Sequence, residues 1–288
     1  MIQTAFEFLD AEQLADEVIT KARQRKPKTK AKLPEDNQRH RDLFSLPPIK
    51  VSEQTLPAVP ELPPQRSVTG DHEIDAVIWL REVISTGQAA LIDKAMEAAK
   101  AIKTPPKELE VRYAKLMIAA GHNEVSIMFG SIGFADLESL AKSSIDKANR
   151  RHEAYSRFGD SVFVDTPAEM FCIEAMHGLE TDRIGFFDDA ETDERFNAHP
   201  DLMPHTLSDC LHELRYWSDL YSLRSSCTKY YDSLRESHAR ENFVFRCLAR
   251  IPPRNKDEAV AVFLSLDSDQ MERKEAHDII LNLIRNAP

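Results

Sequence analysis

The chain has 288 residues, 42% apolar and 30% charged, with only 8 glycines against 16 prolines, a balance that argues against a sheet-rich fold built on tight turns. No apolar run approaches the ~20 residues that a membrane-spanning helix needs, so a membrane protein is not expected. The net charge of −11 is unevenly spread: residues 21–50 hold six lysines and four arginines against three acidic residues, while residues 71–288 carry 26 basic and 38 acidic side chains. A basic stretch ahead of an acidic body folds back on it electrostatically, or engages nucleic acid or another acidic partner.

The first eighteen residues lack the basic start, apolar stretch and small-residue cleavage site of a secretory signal, so a cytoplasmic, reducing setting is expected. Phe8, Leu9, Leu14, Ala15, Val18, Ile19 and Ala22 fall at helical spacing, which predicts an amphipathic helix over residues 1–23 whose stripe lies on the body or on a partner. Residues 24–70 read as a disordered basic and proline-rich linker. They hold Pro27, Pro34, Pro47, Pro48, Pro57, Pro60, Pro63 and Pro64, and proline removes backbone donors and favours extended chain.

From residue 71 to 288 the pattern predicts one α-helical, bundle-like domain. Helices are expected over Glu73–Ser85 and from Leu91 to Ile102; Thr104 and Pro105 open the next, which Gly121 ends. Residues 125–133 read as a short helix or a buried loop, and Leu137 to Tyr155 as a helix closed by Gly159. Ser161–Val164 is the one strand-like run, too isolated to build a sheet. Thr166-Pro167-Ala168-Glu169 is a capping box that starts a helix ending near Gly178. Residues 182–204 look like an acidic loop without pattern. Long helices follow from Thr206 to Arg250, with a break near Ser225 and Ser226. Two more are expected beyond Pro252 and Pro253, the last capped by Asp269.

Motifs for common enzyme chemistry are missing. There is no phosphate-binding glycine loop, no nucleophile elbow and no HExxH, since His212-Glu213 lacks a second histidine in register. Cys172, Cys210, Cys227 and Cys247 are spaced for neither a disulfide framework nor a zinc ribbon and read as buried thiols. Asp188, Asp189 and Glu191, with His177, His199, His205 and His212, have the residue types of a metal-assisted hydrolase. Their spacing is poor for it, a solvated acidic loop is the simpler reading, and no cofactor is expected. Aromatics interleave with Arg215, Arg224 and Lys229, a mixture able to stack bases, although Leu214, Trp217 and Tyr221 share a helical stripe better suited to a core.

The arm carries the more pointed signals. Arg23, Arg25, Lys26, Lys28, Lys30 and Lys32 can neutralise phosphates without sequence preference, or serve only to solubilise a linker. Leu62-Pro63-Pro64 suits a polyproline-binding groove or a rigid spacer. Leu43 and Phe44 are apolar residues in a polar tether and need a pocket, because leaving each in water forgoes about 1.5–3 kcal/mol. The segment His40-Arg41-Asp42-Leu43-Phe44 resembles the short linear motif by which bacterial replication and repair proteins dock on the sliding clamp. Asp42, Leu43 and Phe44 match its end; His40 replaces the usual glutamine, Gln38 is out of register, and Arg41 stands where an apolar residue is common. The resemblance implies a protein partner and a place in bacterial DNA maintenance, replication or mobile-element biology. Docking of Leu43 and Phe44 on the chain's own body competes with it. The sequence thus points to a non-enzymatic helical adaptor, with a metal-assisted hydrolase built on residues 165–213 as the alternative.

Overall fold

The computed structural model describes residues 33–50 and 62–286, and among these the fold is helical with no strand. The first element, α1 (Gln38–Leu43), lies in the arm. A helical array follows: α2 (His72–Ile84), α3 (Ala89–Ala99), α4 (Pro106–Ala119), α5 (Glu124–Ser131) and the 22-residue α6 (Leu137–Phe158). The remainder comprises α7 (Pro167–Ala175), α8 (Asp189–Asn197), α9 (Leu207–Cys227), α10 (Arg235–Cys247), α11 (Lys256–Ser265), the single turn α12 (Ser268–Met271) and α13 (Ala276–Asn286).

Two apolar cores organise these elements. The first gathers Ile74, Val77, Leu80 and Ile84 of α2 with Leu91 and Ile92 of α3, Leu109 of α4, Phe134, and Leu137 and Ala141 at the start of α6. The second collects Cys172 of α7, Phe196 of α8, Leu220 of α9, Phe243 of α10, Val262 of α11 and Ile279 of α13. About 33 Å long at helical rise, α6 reaches from the first core to α9, where Ala154 packs with Val162 and Leu223. Gly87, at φ +73°, turns α2 into α3 against α6. A Cβ there would stand 2.9 Å from the Cβ of Ala148, so the turn needs glycine for both conformation and approach.

Of the caps read from the sequence, the capping box of Thr166 and Glu169 forms with both of its bonds; Asp71, which the reading did not single out, accepts the amides of Glu73 and Ile74 and caps α2. Gly121 and Gly159 end their helices at positive φ. Four expectations need correction. Thr104 does not cap α4; Pro105 occupies that position, and the Thr104 hydroxyl donates to Glu73 Oε2 at 2.6 Å. Residues 161–164, expected as an extended loop or a minor hairpin, instead close the 3-10 helix Gly159–Ser161 and continue as a turn, with the carbonyls of Val162 and Val164 taken by Arg224. The acidic loop contains α8, capped by Asp188. The final helix is two elements, α12 capped by Asp267 and then α13.

The linker read over residues 24–70 divides. Residues 24–32 and 51–61 lie outside the described residues, as does the helix read over 1–23. Residues 33–50 run along the second core to the end of α6, where Arg157 Nη1 donates to Pro47 O at 2.6 Å and Lys50 N to Ser156 O at 2.9 Å. Residues 62–70 lie on the first core. Trp79 Nε1 donates to Pro63 O at 2.7 Å, so the proline pair seats on the chain's own tryptophan. Asp75 then accepts from Ser67 Oγ, the Thr69 amide and hydroxyl, and the Gly70 amide. Prolines leave few backbone donors to satisfy, so such a segment can lie on a surface through a few carbonyl bonds and apolar contacts.

Candidate functional site

Three features stand out, beginning with the arm. Phe44 is fully buried. Its ring meets Tyr216 and Trp217 edge-on at 5.9 and 5.7 Å, and Leu43 and Leu46 pack beside it. His40 is equally buried, its Nε2 2.6 Å from Glu213 Oε2. Arg240 grips the same carboxylate with two bonds, Nε to Oε1 at 2.8 Å and Nη2 to Oε2 at 2.9 Å. Trp217 Nε1 donates to Oε1 as well. An ionised carboxylate only accepts, so the His40 hydrogen on this bond sits at Nε2.

The rest of the Arg240 guanidinium is walled by Phe44, Phe171, Phe196 and Phe243, with ring centroids 5.0–5.7 Å from its central carbon. Its Nη1 has no hydrogen-bond partner and faces π-clouds, which accept positive charge weakly. Burial alone pushes the Glu213 carboxyl up; the Arg240 charge and the His40 and Arg240 hydrogen bonds outweigh it and hold it below the usual range. A second anchor lies one turn away: buried Asp209 accepts the Asn37, His205 and Thr206 amides and Arg41 Nε, and these bonds with the Arg41 charge overcome its desolvation. Arg41 and Arg254 share Asp36.

The residues read as a partner motif therefore sit at the centre of this docking. His40 and Phe44 are buried in the chain's own second core, Leu43 is half-buried, and only Asp42 is exposed, held by Gln38 Nε2 at 2.7 Å. Leu43 and Phe44 found their pocket within the chain, for the reason that made them conspicuous. Arg23, Arg25, Lys26, Lys28, Lys30 and Lys32 lie outside the described residues. What the sequence could not reveal is the matching half of the site. Glu213 lies 173 positions beyond His40 and Arg240 a further 27, and no local pattern links them to the arm.

The residues of the hydrolase alternative do not converge. Asp188 caps α8, Asp189 pairs with Arg246 and Lys274, the His199 ring lies edge-on to Phe171, and His212 Nε2 reaches Arg41 O. No three His, Cys, Asp or Glu side chains among the described residues are placed to hold a metal ion. Within the aromatic and cationic stretch, Trp217 is core and Arg224 is fixed by Glu169, at 2.6 and 3.0 Å, and by Tyr231.

The second feature is an apolar face. On α5 the side chains of Val125, Met128 and Phe129, with Ile132 at its end, follow i, i+3, i+4, i+7 spacing and are 50–74% exposed; none of the helix is buried. α4, on which α5 packs, exposes Val111 and Ile118. A surface helix ordinarily turns such a stripe inward.

The third feature is a cavity of about 370 Å³ among α7, α9, α10 and the 228–234 connection. No helix among the described residues is long and apolar enough to cross a membrane. No protein-family model, curated protein or solved structure matches the chain.

Proposed function

We propose that this chain is a non-enzymatic adaptor that binds another protein, and that the partner seats an apolar helical face on α5. The observation that carries this reading is the stripe Val125, Met128, Phe129 and Ile132, four large side chains in helical register and all exposed. Each forgoes about 1.5–3 kcal/mol by staying in water, and its spacing is that of a helix laid along a helix. Contiguous apolar surface of this kind marks interaction sites more often than incidental exposure does.

The arm enters the proposal in an altered role. Sliding-clamp docking through Leu43 and Phe44 requires their release from the second core and the opening of the His40–Glu213–Arg240 cluster. The cationic run over residues 23–32 remains the proposed contact for nucleic acid, to be seen as binding that weakens steeply with salt.

The decisive experiment pairs Met128→Ser with Phe129→Ser. Substitution at exposed positions shifts stability by about 0.5 kcal/mol or less, so the thermal midpoint is expected to hold. The affinity of a partner captured by the wild-type chain and then purified is expected to fall by about 100-fold, since losing two apolar anchors costs about 3 kcal/mol. Affinity unchanged in the double variant overturns the α5 reading.

A further inference from the structure

The cavity beside α10 has a floor, walls and a rim of different chemistry. Ser237, on the first turn of α10, lines it and is 3% exposed, yet its Oγ has no hydrogen-bond partner. A buried hydroxyl left unpaired is costly, and Ser237 is part of the cavity lining. Aromatic rings form one wall: Trp217 and Tyr221 from α9, and Tyr231 from the connection, whose ring lies 5.7 Å from that of Tyr221. The Tyr231 hydroxyl is fixed by Arg224 Nη1 at 2.8 Å, so the ring is held from behind.

The rim is acidic. Glu169 is neutralised by Arg224, which leaves Asp232 and Glu241 as the carboxylates facing outward. His238 stands between them, Nε2 4.0 Å from Asp232 and Nδ1 3.6 Å from Glu241. Both separations are too long for strong pairs, so neither carboxylate is satisfied within the protein.

We infer that this cavity binds an organic cation, an alkylguanidinium or alkylammonium group, seated on the contiguous aromatic wall of Tyr221 and Tyr231 with its N–H donors reaching Glu241 and Asp232 and, once the Ser237 side chain turns toward it, Ser237 Oγ. Aromatic faces take a cation's charge and stem, carboxylates take its donors, and the orphaned hydroxyl supplies an acceptor at the bottom. The chemistry is shared by a free small amine and by an arginine side chain of a peptide. This assignment is independent of the α5 proposal, which involves another part of the molecule.

His238 supplies the pH dependence. The nearby Glu241 carboxylate, with a smaller contribution from the Asp232 charge, favours its protonated form over the effect of burial and raises its pKa. The charged groups around it are Asp232 on the connection, Glu241 and Arg235 on its own helix, Asp189 of α8 on its other side, and the Glu169–Arg224 pair of α7 and α9. A bound cation competes for the same two carboxylates, so affinity rises as pH passes above the His238 pKa and binding releases a proton.

The test is a titration of the full chain with butylguanidinium, followed by the His238 ring proton resonances and by calorimetry at two pH values. Saturable shifts of His238, tighter at the higher pH, are expected, and butylurea, isosteric but neutral, should leave them unmoved. Asp232→Asn is at an exposed position and Glu241→Gln is an isosteric change at a half-buried one, so both are expected to keep the fold; each should weaken binding by about tenfold. A capped peptide with one arginine separates the sources: equal or tighter binding assigns a peptide ligand, and loss of binding assigns a free amine. No saturable shift, equal binding of butylurea, or affinity unchanged in both carboxylate variants overturns the site.

Discussion

At Phe44 and its neighbours, a few side chains decide whether the arm is free or docked. With the ring fully buried against Tyr216, Trp217 and Arg240, Phe44→Ala leaves a core cavity and is expected to cost about 3–5 kcal/mol in urea unfolding. A free anchor would leave the midpoint unchanged, so the measurement separates the two states of the arm directly. The acid side of the stability profile rests on carboxylates. Glu213 and Asp209 sit below their unfolded values, and Asp75, against its burial, is held at about 2 by bonds from Thr69 and Ser67. Groups with depressed folded pKa stabilise above the unfolded value, here 4.5 for glutamate and 3.8 for aspartate, and lose that contribution as pH falls through the folded value. Urea midpoints should therefore decline below about pH 4.5 and keep declining toward pH 2, with Asp75→Asn flattening the last part of the curve. A midpoint flat to pH 2 would contradict these assignments.

At the level of elements, legibility followed the location of the determining chemistry. The α7 start was readable because Thr166, Pro167 and Glu169 are all local. By contrast α8, with sequence DAETDERFN, buries only Thr192 and Phe196 and shows no repeating stripe. It is held from outside: Arg246 reaches Asp189 at 2.6 Å and Asp193 at 2.5 Å, Arg250 reaches Asp193, and Lys274 reaches Asp189. Those partners lie more than fifty positions away. The Asp188 side chain accepts the Ala190 and Glu191 amides, and Asp188→Ala should cost about 1 kcal/mol by chemical denaturation. A negligible change would mean that the distant arginines alone fix the helix. Residues 125–133 were ambiguous for another reason. Their apolar stripe fits a helix and also a buried segment, and only the fold left the stripe exposed.

Across the whole molecule, the proline-rich region touches both cores, at residues 33–50 on the second and 62–70 on the first. The second core is incomplete without it, since Phe44 is one of its members and Glu213 and Arg240 meet His40 inside it. A chain beginning at residue 62 is expected to uncover Tyr216 and Trp217, to melt well below the full-length protein and to bind an apolar dye at temperatures where the intact chain does not. Unaltered melting would show that the docked segment is dispensable.

By itself, the sequence determined the helical class, the Thr166 start and the Gly121 and Gly159 ends, three of the four thiols read as buried (Cys172, Cys210 and Cys247, with Cys227 half-buried), and the need of Leu43 and Phe44 for a pocket. Each of these follows from spacing, caps and hydrophobicity within a few positions. Tertiary structure decided where that pocket was, which carboxylate faces which guanidinium, and which apolar stripe remains exposed. Those depend on contacts between residues far apart in the chain, where charge pairing and burial are set by packing and leave no local pattern to read.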